Sequence, residues 1–273
     1  MYNDESVANI ISLGAGVQSS VMSLMAASGE ITPMPTAAIF ADTGWEPAAI
    51  YKHLDWLETM LPFPVYRVEF TGYRNQNKGN IRSERGANQM PLFLAKVKGR
   101  RGMSRRQCTE DYKIVPIIRK SRELIGVKAV GRIKKGVYVN QWMGISIDEI
   151  GRMKDSHAQW IHKKYPLIDL GMTREDCLDY FTERFPGRTL ARSACIGCPY
   201  RSDSEWYRMK VEDPVSWADV IAFDHNLRDG SIKLSYENPA YLHSSLVSLE
   251  HVDFSRQESN PGFDAECEGI CGV

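Results

Sequence analysis

Between Asn9 and Phe70 the chain alternates short apolar runs with stretches of helical periodicity, and no other feature narrows its fold as much. "NIISLG" ends in glycine and hands over to "VQSSVMSLMAASGE", in which Val21, Leu24 and Met25 recur at helical spacing before Gly29 closes the run. "TAAIFADTG" is a second apolar run, and "WEPAAIYKHLDWLETML" is again helical through Ile50, Leu54, Leu57 and Leu61. "PVYRVEF" reads as a third strand. Strands alternating with helices imply right-handed crossovers and a parallel sheet. The predicted fold is therefore α/β, a doubly wound parallel sheet, with its ligand at the carboxyl ends of the strands.

The alternation breaks at residues 71–106, which are polar, glycine-bearing and basic, so a long loop with one short helix is expected there. Beyond it, "YKIVPIIRKSRELIG" predicts a helix with Pro116 in its first turns, and "GVYVNQWMGIS" another strand. "TREDCLDYFTERF" predicts an amphipathic helix capped through Thr173 and Asp176. "EWYRMKVEDPVSWADVIAFDHNLRDG" predicts two helices split at Pro214. From about residue 230 the chain turns irregular, which suggests a domain over residues 1–229 and a C-terminal extension over 230–273 that carries a cysteine tail.

Lys plus Arg number 34 and so do Asp plus Glu, so net charge points to no polyanionic partner. No stretch approaches 18 uninterrupted apolar residues, and Asp4 and Glu5 stand where a secretory signal would be basic. The expectation is a soluble cytoplasmic protein with no membrane contact. Six cysteines in 273 residues are too few for a secreted disulfide scaffold and fit metal-binding or catalytic use.

A strand, a glycine-bearing turn and a helix aim backbone N–H groups at an anion, and the helix dipole adds attraction. In "GAGVQSS", Gly14, Ala15 and Gly16 allow close approach, while Gln18, Ser19 and Ser20 offer side chains at the first helical turn; Ser12 precedes them on the strand. Asp42, Thr43 and Gly44 follow the second strand and lie beside that turn in a parallel sheet. On pattern alone a tight turn with nothing bound remains an equal reading. Cys195 and Cys198 form C-x-x-C followed by proline, with Cys108 earlier in "RRQCTEDYKIVP". That spacing lets two thiolates reach one metal: an iron–sulfur centre, a structural zinc, or no metal are the alternatives. The basic run "KVKGRRGMSRRQC" places Arg100, Arg101, Arg105 and Arg106, with Lys96 and Lys98, just before Cys108. It suits a nucleotide phosphate, a nucleic-acid backbone, or simple solvation.

Taken in order, these motifs resemble a known group. "GAGVQSS" resembles the phosphate loop of the adenine nucleotide alpha hydrolase (PP-loop ATP pyrophosphatase) superfamily. Gln18, "DTGWE…Y…LDWL", "CTEDYKIVPIIR", "WMGISIDEIGRMK" and "CIGCP" resemble its phosphoadenylylsulfate reductase branch, over roughly residues 9–210. Gly14 and Ala15 depart from the family's serine and glycine. The resemblance implies binding of ATP or an adenylyl sulfonucleotide, with magnesium as the accompanying cation, and an arginine at Arg152 that grips phosphate or sulfate. It also implies a [4Fe–4S] cluster, with zinc as the alternative, on Cys108, Cys195 and Cys198; Gln107 stands where the cluster-bearing reductases have a second cysteine. In "ECEGICGV" the match to the family's nucleophilic tail cysteine is split between Cys267 and Cys271.

Two activities compete on this reading. One is iron–sulfur-dependent sulfur transfer to an adenylated acceptor such as a nucleobase. The other is reduction of phosphoadenylylsulfate or adenylylsulfate to sulfite; a non-catalytic nucleotide-binding regulator ranks third. The expected partners are an adenine nucleotide, a nucleic-acid acceptor or a sulfur- or electron-donor protein, with a homo-oligomer allowed.

Overall fold

The computed structural model of the protein describes residues 7–70, 80–97, 100–128, 131–190, 192–235 and 237–254. In chain order these form β1 (Val7–Leu13), α1 (Val17–Ala27), β2 (Ala37–Asp42), α2 (Ala48–Met60), β3 (Val65–Glu69), α3 (Glu84–Ala87), β4 (Phe93–Val97) and β5 (Arg100–Met103). A π-helical turn at Glu110–Ile114 then runs into α4 (Val115–Leu124), followed by β6 (Tyr138–Met143), a 3-10 turn at Ile147–Arg152, and β7 (Ile161–Lys164). The last elements are α5 (Pro166–Asp169), α6 (Arg174–Arg184), α7 (Asp203–Glu212), α8 (Pro214–Asn226) and β8 (Ala240–Tyr241).

The main sheet has the order β3-β2-β1-β6-β7, and every neighbouring pair in it is parallel. Alternate residues show how the two faces are filled. Ile11 and Leu13 of β1 with Ala38 and Phe40 of β2 pack beneath α1, α2 and α6, whereas Ala8, Ile10, Ile39 and Ala41 pack against Ile117 of α4. Burying both faces is what parallel strands require, and each fully buried Ile or Leu is worth about 2 kcal/mol. Chain order reverses between β1 and β6, so the crevice beyond their carboxyl ends is where such a sheet takes a ligand.

Residues 80–103 differ from the predicted long loop. Besides the short helix α3, they form an antiparallel β4–β5 hairpin, and β8 adds to its other edge. This second sheet lies over its own core, in which Trp206, Met90, Tyr112 and Leu92 are buried together with Leu242, Leu249 and Phe254 from beyond residue 230. The helix over Arg174–Arg184 begins with the predicted Thr173–Asp176 capping box, and Pro214 opens α8 directly after α7 ends at Glu212. Cys177 is fully buried among the apolar residues of the first core.

Candidate functional site

The phosphate-type turn forms as β1 ends. Ala15 adopts a φ of 57°, the left-handed region that ordinarily calls for glycine, and Gly16 caps α1. The Gly14 N–H donates to Ser19 Oγ at 3.2 Å, which closes the turn over the start of the helix. Gln18 is completely buried; its Nε2 donates to Ser146 Oγ at 3.2 Å and to Glu149 Oε2 at 3.0 Å, across the β1–β6 crevice. Its Oε1 has no partner among the described residues, so a buried acceptor faces the crevice wall. Glu149 also pairs with Arg152, which brings the arginine singled out from the sequence to the same crevice as Gln18. Ser20 points elsewhere: its hydroxyl meets His53 Nε2 of α2 at 2.9 Å, and burial, followed by the charge of Arg188, lowers the His53 pKa to about 4.

At the end of β2, Asp42 is occupied in shaping its own loop. Its Oδ1 accepts from the Gly44 N–H at 2.7 Å and from the Tyr51 hydroxyl at 2.8 Å; burial, then that carboxylate, push the Tyr51 phenol well above its ordinary value. Gly44 has a φ of 72°, and a Cβ there would lie 2.6 Å from Asn80 Cβ. The next residues receive the cysteine loop. The Ile196 N–H donates to the Trp45 carbonyl at 2.8 Å, and Gly197 lies so close to the Trp45 indole that a Cβ would sit 2.2 Å from the ring. Cys195 Sγ then donates to Thr43 Oγ1 at 3.3 Å and lies 3.4 Å from Glu46 Oε1, itself held by the Thr43 hydroxyl at 2.9 Å.

Behind this loop Arg201 acts as a clamp. Its guanidinium donates to the carbonyls of Ala194, Cys195 and Ile196 at 2.9 to 3.1 Å. Burial lowers its pKa, and the neighbouring Cys198 and Glu205 oppose that shift. Cys108 approaches from the other side, its N–H donating to the Gln89 carbonyl at 3.0 Å.

Cys108, Cys195 and Cys198 line one small cavity together with Thr43, Arg106 and Lys113, and the Arg106 guanidinium lies 4.8 Å from the centre of the Tyr200 ring. A second small cavity, lined by Ser12, Gly14, Ala41 and Ser193, shares Lys113 as a wall. Lys113 is buried within the π-helical turn. Sequence reasoning had singled out neither Lys113 nor Glu46 nor Arg201. Lys113 stands four residues before the buried Ile117, so helical spacing alone places it on the face turned to the sheet.

The donor set is three thiols, which suits a soft metal. The space does not suit a [4Fe–4S] cluster: the shared cavity measures about 20 Å³, room for one water-sized atom, and Cys195 is turned toward Thr43 and Glu46. Among the described residues no three His, Cys, Asp or Glu side chains converge to hold a metal ion. Arg105 is exposed; the side chains of Arg100 and Arg101, and the whole of Cys267 and Cys271, lie outside the described residues.

The chain is similar in fold to a solved phosphoadenylyl-sulfate reductase. One match is to the phosphate complex of the enzyme from Candida auris, at 14% sequence identity and a TM-score of 0.40, over 66% of this chain and 72% of that one. No family model matches the sequence, and no curated protein matches it. Among the described residues no helix is long and apolar enough to cross a membrane.

Proposed function

We propose that this protein is a nucleotide-dependent sulfur-handling enzyme that adenylates an acceptor, a nucleobase carbonyl being the chemistry that fits, and replaces the activated oxygen with sulfur. The observation that carries this reading is Lys113, whose buried side chain lines both the cavity at Gly14 and the cavity of the three cysteines. A cation in that position serves phosphate and thiolate at once. Gly14 to Ser19 and Gln18 would hold the phosphates of ATP, with Arg152 at the crevice.

The acceptor oxygen attacks the α-phosphate, and pyrophosphate leaves. A persulfide carried on one thiol, its outer sulfur transferred from a persulfide donor whose own thiol leaves, then attacks the activated carbon and AMP leaves. A second thiol attacks the carrier sulfur, which releases the thiolated product and leaves a disulfide for an external dithiol to reduce. The thiols of Cys108, Cys195 and Cys198 around one cavity supply carrier and resolving groups.

The rival reading, reduction of a sulfonucleotide, draws on the glutamate–cysteine tail at Cys267 and Cys271. The two separate on one experiment. The protein is incubated with ATP, a persulfide donor, a dithiol and bulk tRNA, and in parallel with phosphoadenylylsulfate and thioredoxin. AMP and pyrophosphate formed only in the presence of the RNA, with a thionucleoside found by mass spectrometry, is the expected result. Sulfite from the second mixture without ATP cleavage would overturn it.

A further inference from the structure

Away from the thiols, toward the amino-terminal ends of β6 and β7, the structure forms an open groove of about 1090 Å³. Its floor is one face of the sheet margin, where alternation along β6 and β7 sets Tyr138 and Asn140 beside His162 and Lys164. Tyr138 and His162 stack with ring centres 4.7 Å apart and planes at 28°, and His162 is exposed. One wall is the turn carrying Arg132, Lys134 and Lys135, closed by Gly136 at a φ of 90°. Arg122 of α4 anchors this wall through the carbonyls of Lys128 and Gly131.

Four cations, Arg132, Lys134, Lys135 and Lys164, line the groove, all exposed, and among the described residues no carboxylate does. None of the four has an ion-pair partner among the described residues. In a chain with 34 basic and 34 acidic residues, that concentration of one sign is a feature of the place and not of the composition.

We infer that this groove binds single-stranded nucleic acid, with phosphates on the four cations and a base on the Tyr138–His162 stack. A concave surface with aromatic faces suits unstacked bases on a polyanionic backbone. A duplex keeps its bases stacked inside and could use only the charges. A lipid surface is flat and would leave the floor of the groove untouched. The inference stands apart from the sulfur chemistry, since neither the thiols nor the Gly14 turn contributes to it.

The test is fluorescence anisotropy of the full chain with a labelled oligothymidylate of about 15 nucleotides, the upper range of a single-strand site. Four phosphate contacts predict a slope of about −3 for log affinity against log salt. Lys134→Glu with Lys135→Glu should weaken binding about tenfold or more and flatten that slope. His162→Ala should weaken binding about fivefold or more and leave the slope unchanged, because stacking is not ionic. All these side chains are exposed, so thermal unfolding of the variants should match the parent. Absence of binding at low salt would overturn the inference, as would affinity indifferent to both variants. Equal binding of duplex or phosphatidylserine vesicles with no effect of His162→Ala would reduce the groove to a charged patch and overturn it as well.

Discussion

The contact between Gly197 and Trp45 makes the placement of the thiols open to test. A Cβ at residue 197 would meet Cη2, Cζ3 and Cζ2 of the indole at 2.2, 2.3 and 3.2 Å, far inside van der Waals contact. The ring has little room to retreat. Its Nε1 donates to Asp219 Oδ2 at 2.7 Å, its carbonyl holds the Ile196 N–H, and Phe223 packs against it with centroids 4.6 Å apart. Overpacking of a tight core costs about 1–3 kcal/mol, and with a rigid ring as the neighbour Gly197→Ala belongs at about 2–3 kcal/mol. At about 2–4 °C per kcal/mol, the melting temperature should fall by about 4–12 °C. Trp45→Phe removes the far ring atoms that the new methyl would strike, at the expense of the Asp219 bond. The double variant should therefore be less destabilised than the sum of the two, by about 1–2 kcal/mol. Thermal unfolding of the four proteins gives the cycle. Thiol titration under native conditions should show Cys195 and Cys198 reacting faster in Gly197→Ala. Additivity within about 0.5 kcal/mol would show that this contact does not set the position of the cysteine loop.

Three further outcomes follow from the same geometry. Arg201→Met removes the donor to three loop carbonyls and should cost about 3 kcal/mol by thermal unfolding, with Arg201→Lys a poor rescue because an ammonium cannot span all three. Ala15→Gly should leave the melting temperature unchanged or raised, since φ is already left-handed, whereas Ala15→Val should lower stability by about 2 kcal/mol or more. His53 has a folded pKa of about 4 against an ordinary 6.5, so the unfolded chain binds the extra proton first. Stability from this group is complete above pH 6.5 and is lost as pH falls toward 4, by about 3 kcal/mol in all; in His53→Gln, denaturant titrations between pH 4 and 7 should lack that slope.

Strands β1 and β2 were legible in the sequence because they are buried on both faces and read as apolar runs, each followed by a helix of clear period, whereas β7, the four residues Ile161–Lys164, is mostly polar and was not read as a strand. The hairpin of β4 and β5 was not legible either. "FLAKVKGRRGM" interrupts its alternation with charges, and its pairing is completed by Ala240 and Tyr241, about 140 residues later, which no local window contains. The Gly14 turn and the cysteines were found by spacing. Their relation was hidden because it depends on residues whose roles are long-range: Trp45 against Gly197, Arg201 under the loop, and Lys113 between two cavities. Ser20 shows the converse. It belongs to a run of small polar residues that reads as one unit, yet a helix turns by 100° per residue, and Ser19 and Ser20 face different neighbours.

The loop after β2 has two sides, and both are held by specific contacts. Toward the sheet, Asp42 accepts from Gly44 and Tyr51 and fixes the turn at the end of the strand. Toward the second core, the Thr43 carbonyl accepts from the Ile81 N–H at 3.1 Å, its hydroxyl meets the Cys195 thiol, and Trp45 carries the flat face against which Gly197 rests. Gly44 between them is pressed on Asn80 and cannot gain a side chain. Four consecutive residues thus tie the carboxyl end of β2, one strand from the Gly14 turn, to the position of the C-x-x-C loop. A displacement of that strand end by a bound nucleotide would be felt at Cys195 through direct contacts, because a tightly packed interior transmits a shift and does not absorb it.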